Sequence, residues 1–156
     1  MRMFGRVARD RRQVMEATLL AATFSGLPST LYALVRARSL AAGAVYVYDA
    51  TRAVGTLVPP GRPGFRRGAL AHLVISLLCG EMLARTLPRA NSVRWGAAAG
   101  FVGGVINVGV LGRGFPAIKR LPLIPQLADN VMFGTVFALV LDQLDRRHAE
   151  ARIGNA

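Results

Sequence analysis

The chain has 156 residues, enough for one domain, and 53% of them are hydrophobic, with a mean hydropathy of +0.38. That content exceeds what a water-soluble domain of this length carries, and burial in lipid accounts for the excess. The net charge of +12 would suggest nucleic acid in a soluble protein, but here the basic residues punctuate apolar runs, which sets nucleic acid aside in favour of a bilayer.

Residues 1–14 form a basic N-terminal segment with Arg2, Arg6, Arg9, Arg11 and Arg12, like the start of a signal peptide. The apolar stretch behind it runs past any cleavage point, which predicts an uncleaved first span over 15–35. Within it, Gly26 and Pro28 predict a kink, because proline removes a backbone donor, and neighbouring helices must satisfy the freed carbonyl. Residues 39–57 look apolar enough for a further crossing until Asp49 and Arg52 are weighed. Three residues apart on a helix, those two can pair, and a pair at mid-depth is costly. An amphipathic helix in the headgroup region is therefore expected there, with a fifth crossing as the alternative.

Pro59, Pro60, Gly61 and Pro63 make a stiff turn before a second span over 68–84. A short polar turn leads to a third span over 94–112. A loop with Pro116, Pro122 and Pro125 precedes a fourth over 124–141, and a charged tail covers 142–156. Each span is close to the ~20 residues that a hydrocarbon core demands. Tyr32, Tyr46 and Tyr48 fall on the side of the first loop and Trp95 on the other, as interfacial aromatics should. The side of the termini collects eleven Lys or Arg against nine on the other side, so the positive-inside rule favours cytoplasmic termini in the cell membrane by a small margin. So small a bias also permits antiparallel homodimers. Nineteen of the twenty basic residues are Arg, a bias that a GC-rich genome also produces. At span ends these side chains can hold anionic lipid, at about 1 kcal/mol each.

Gly96, Gly100 and Gly104 recur every fourth residue along the third span and present a groove for close helix approach. Internal packing is the reading preferred to a contact with another protomer or a membrane-protein partner. Ionisable residues inside spans are functional candidates by default. His72 shares a helix face with Ser76 and Cys79, a hydrogen bond to a facing carbonyl being the bland expectation and a proton relay the sharper one. Glu81 stands one turn from Arg85 and should pair with it. Asn107 borders the glycine groove, while Asp129 and Asn130 open the fourth span, where capping is the expected role. No phosphate loop, no His-Glu-x-x-His and no paired cysteines occur. No catalytic residue, cofactor or metal site is expected, and the lone Cys79 excludes an internal disulfide.

At Gly26-Leu27-Pro28-Ser29-Thr30, at Asp49-Ala50-Thr51-Arg52-Ala53-Val54-Gly55-Thr56-Leu57, at Ala71-His72-Leu73 and at Pro125-Gln126-Leu127-Ala128-Asp129-Asn130, the chain resembles small integral membrane proteins of actinobacterial type. The likeness covers residues 26–140. It implies a four-helix membrane fold and brings no activity with it. That group more often has Asp-His where this chain has Asp129-Asn130, and an acidic residue where Asn107 stands, which weakens any ligand site carried over from it.

The expected fold is thus all-α: a polytopic four-transmembrane-helix bundle with one interfacial amphipathic helix. The leading functional expectation is a non-enzymatic membrane component that acts by helix packing or lipid contact. A small proton-linked, permease-like transporter with His72, Glu81 and Asp129 as a polar path is the alternative. Convergence of His72, Asn107 and Asp129 on one cavity would favour transport.

Overall fold

A computed structural model describes residues 9–37 and 39–154; residues 1–8 of the basic N-terminal segment, Arg38 and the final two residues lie outside it. Among the described residues every regular element is helical. Helix α1 (Arg11–Phe24) starts where Asp10 accepts a hydrogen bond from the Arg12 amide at 2.9 Å, a side-chain N-cap. At the expected kink the helix is interrupted over Ser25 and Gly26, and α2 (Leu27–Ala37) continues the same span. Ser39 caps α3 (Leu40–Val54) by accepting from the Ala42 amide at 3.2 Å. Helix α4 (Phe65–Thr86) stops before Pro88, and α5 (Ser92–Ile106) follows Asn91, a non-glycine residue with positive φ (55°).

Helix α5 widens into a π-helical turn over Asn107–Leu111 and closes with α6 (Gly112–Gly114). A short α7 (Pro116–Lys119) then leads to the long α8 (Leu123–Gly154), so the charged tail continues the last helix. Asp145 of that extension meets Arg9 at 3.9 Å, and Gln13 lies 2.9 Å from His148. Burial lowers the Arg9 pKa, which Asp145 partly offsets.

Four segments are long and apolar enough to cross a membrane: Arg11–Ala37, Phe65–Thr86, Ser92–Gly114 and Leu123–Ala151. Helix α3 is not among them. Its 15 residues rise about 22 Å, short of the ~30 Å hydrocarbon core, which argues against a fifth crossing. The segments pack inside-out by the standard of soluble proteins. Small residues such as Ala17, Ala21 and Ala138 are buried, whereas Val35 (80% exposed), Ile124 (75%) and Leu78 (67%) point outward.

The densest packing lies in the half of the molecule nearer the termini. Val14, Ala17 and Ala21 of α1 meet Leu83, the adjoining Leu87, and Phe137, Ala138 and Leu141 of α8. Alongside, α5 and α8 run antiparallel at backbone contact. A Cβ on Gly96 would strike the Gly134 carbonyl, one on Gly100 the Asn130 carbonyl, and one on Gly104 would come within 3.1 Å of Leu127. The groove read from the third span is therefore filled from inside by α8, which takes this face away from a second protomer.

Helices α3 and α4 approach as closely: a Cβ on Gly68 would meet the Thr51 carbonyl, and the Gly64 amide donates to Arg52 O at 3.2 Å. Asp49 and Arg52 lie 3.8 Å apart on the exposed side of α3. The Arg52 guanidinium also sits 5.6 Å from the centre of the Tyr48 ring, which stacks on Phe65 at 5.3 Å.

Candidate functional site

The break between α1 and α2 creates a problem that the neighbouring helices solve. Pro28 has no N–H, so carbonyls at the end of α1 and amides at the start of α2 lose their partners within the helix. On the amide side Asp129 of α8 reaches across: its Oδ1 accepts from the Ser29 amide at 2.9 Å, and its Oδ2 accepts from the Ser29 hydroxyl. The carboxylate thus lies at the positive end of α2. On the carbonyl side, Ala22 O accepts from Ser25 Oγ at 2.9 Å and lies 3.2 Å from His72 Nε2, a donor in the tautomer protonated there. An acid and an imidazole from two other helices complete the two cut ends.

Four helices bring these groups to one level. Measured from the helix ends on the loop side, His72 lies seven residues from Phe65, Asn107 seven from Gly114, Asp129 six from Leu123 and Ser29 eight from Ala37. At 1.5 Å per residue, each is about 9–12 Å along its segment. Asn107 begins the π-helical turn, a distortion of the i→i+4 ladder that occurs frequently at functional sites.

Between these elements lies a cavity of about 480 Å³. Its polar lining includes Ser29, His72, Asn107, Gln126, Asp129 and Asn130, and Ser76 and Cys79 line it as well. Tyr46, Phe65 and Phe133 supply aromatic surface. Asp129 is the one acidic residue on the wall, and no Lys or Arg lines it among the described residues. Burial, then the Asp129 carboxylate and Tyr32, raise the pKa of the Tyr46 phenol. Asn130 and Gln126 point inward only in part, because Asn130 Nδ2 donates to Gln126 O at 2.8 Å and Gln126 Nε2 to Leu121 O at 2.9 Å.

Of the residues singled out from the sequence, His72, Asn107, Asp129 and Asn130 meet in this cavity, and Ser76 and Cys79 share the face of His72 as their spacing predicts. Glu81 does not join them. It pairs with Arg85 at 2.6 Å on an exposed face of α4 and drops out of the polar path. Asp49 and Arg52 also lie outside the cavity wall. The capping role expected for Asp129 is corrected: α8 begins at Leu123, so Asp129 sits beyond the first turn and completes α2 instead of its own helix. Sequence reasoning did not assign Ser29, Gln126 or Tyr46 to a site. The Gly26-x-Pro28 signal marks the break beside Ser29, but its partner lies 100 residues away.

Among the described residues no group of three or more His, Cys, Asp or Glu is placed to hold a metal ion. No family model matches the chain, and no curated protein or solved structure matches it either.

Proposed function

We propose that the chain is a multi-pass protein of the cell membrane with cytoplasmic termini, and that it acts as a small proton-linked, permease-like carrier whose solute enters the cavity at the helix break. Lipid is the solvent that reconciles Val35, Ile124 and Leu78 on the outside with alanine and glycine inside. The observation that carries the functional reading is the convergence of His72, Asn107 and Asp129 on one cavity, at one level, beside a discontinuous helix. Carriers use such interruptions because cut helix ends offer partial charges and free backbone groups where the bilayer itself offers none. Asp129 is the proton site in this reading. As a carboxylate it holds α2 through Ser29; as an acid it gives up part of that hold, which couples its protonation to the packing of α2.

The likeness to small actinobacterial membrane proteins belongs to the same reading. With Asn130 where that group more often has His, His72 is the imidazole this cavity offers. A second reading, a non-enzymatic component that acts through helix packing or lipid contact, draws on the backbone-close contact of α5 with α8. Vesicles separate the two. Purified protein in liposomes with an entrapped pH dye and an imposed membrane potential should move protons faster than empty liposomes, and Asp129→Asn should abolish the difference. Equal proton movement with the variant and the native protein would leave the packing component standing.

A further inference from the structure

We propose that the cavity takes a monovalent organic cation, held at the free edge of Asp129 against the aromatic wall, and that cation and proton exclude one another at that carboxylate; this rests on the carrier reading above. The charge of the lining comes first. In a chain of net charge +12, the cavity wall has one carboxylate and neither Lys nor Arg, so an anion would meet repulsion with no compensating cation. The carboxylate also has capacity to spare. It accepts about four hydrogen bonds when ionised, and Ser29 supplies two.

The ligand's body follows from the rest of the wall. Tyr46, Phe65 and Phe133 line the cavity, and aromatic rings attract a cation with apolar substituents. Among the described residues no group of three or more His, Cys, Asp or Glu is placed to hold a metal ion, and the aromatic share of the wall suits an organic cation. A volume of about 480 Å³ falls within the ~300–1,000 Å³ range of small-ligand pockets. One charge on one carboxylate, with apolar substituents against aromatic rings, is the pairing these features select.

The titratable groups facing Asp129 are His72 and Cys79 from α4 and Tyr46 from α3, with Tyr32 of α2 behind the Tyr46 ring at 6.4 Å. Lys119 of α7 is exposed and off the wall. Acidification protonates Asp129. Loss of that negative charge opposes a cation, so binding weakens as pH falls and each cation bound displaces protons.

The test uses the full chain in detergent micelles, with tetraphenylphosphonium as cation and tetraphenylborate as a near-isostere of opposite charge, both read against protein-free micelles. We expect one phosphonium per chain, binding of the borate at least tenfold weaker, and phosphonium affinity that falls at least tenfold in Asp129→Asn but no more than about threefold in Asp129→Glu. Borate binding as tight as phosphonium binding overturns the proposal in the native protein, with no variant needed. Unchanged phosphonium affinity in an Asp129→Asn protein of native helicity, or affinity that does not fall between pH 8 and pH 5, overturns it as well. Absence of phosphonium binding, with Asp129-dependent proton movement intact in vesicles, overturns the cation and leaves the carrier. Loss of both removes the carrier too.

Discussion

The half of the molecule near the termini and the half near the interhelical loops solve the same problem in opposite ways. Near the termini, α1, α5 and α8 are continuous and bring alanine and glycine into contact, with Thr18 against Gly80 and Gly96 against Gly134. Toward the loops α1 gives way to α2, α5 widens into a π turn, and polar side chains from α4 and α8 replace the missing backbone partners. One half takes its stability from close approach, as helices in lipid must when no hydrophobic effect drives them together. The other also has close contact, at Gly68 and Thr51, but gives up regular hydrogen bonding at the helix break and keeps a cavity, so binding capacity is confined to one end of the helices.

Gly134→Ala should break this arrangement most severely. Its Cβ would run into the Gly96 carbonyl, and overpacking of this kind costs about 1–3 kcal/mol, which for a chain of this size moves a thermal midpoint by roughly 2–12 °C. Gly103→Ala is the control, because a Cβ there meets nothing within 4 Å, and removing a helical glycine should stabilise by up to about 1 kcal/mol. The measurement is thermal unfolding in detergent followed by helicity. If the two variants shift the midpoint alike, the close-packed half is not what holds the helices together.

Asp129→Ala probes the other half and should come next in size. It leaves the part-buried Ser29 amide and hydroxyl without their acceptor, and losing hydrogen bonds to a charged group costs about 1.5–3 kcal/mol. Proton movement in vesicles should vanish with it. Retained proton movement would mean that the cavity is only a packing defect. His72→Ala should be milder, at about 1 kcal/mol or less, because Ala22 O keeps Ser25 as a donor. Its mark should be slower proton movement in vesicles, and a rate identical to that of the native protein would remove His72 from the site.

The two halves also differ in what could be read from the residues alone. The apolar spans are legible because each is long and apolar enough to cross a membrane, and the glycine row because close approach imposes a spacing. Gly26 and Pro28 likewise announce the interruption of the first span, since proline inside a long apolar run costs a helical hydrogen bond. What could not be read is which residue repairs the interruption. Asp129 and Asn130 after Pro122 and Pro125 look like a helix start, but proline is tolerated in a first helical turn, where the N–H has no partner anyway. Helix α8 accordingly starts at Leu123, and Asp129 is displaced from its expected cap to the level of Ser29. Tyr46 is masked in the same way, because an aromatic at an interface and one on a cavity wall look identical until α3 is placed against α4 and α7.

Glu81 gives the smallest expected effect and the sharpest contrast with Asp129. Both are carboxylates within candidate spans, and the sequence offers both for a polar path. Glu81, however, lies 2.6 Å from Arg85, with side chains 48% and 74% exposed, and an exposed i,i+4 pair contributes only about 0.3–0.5 kcal/mol. Glu81→Gln should therefore leave the unfolding midpoint within measurement error and proton movement at the native rate, at every pH where Asp129→Asn abolishes it. If Glu81→Gln slowed proton movement as well, the acid that matters would lie on the outer face of α4, and the cavity at the helix break would lose its claim to the proton.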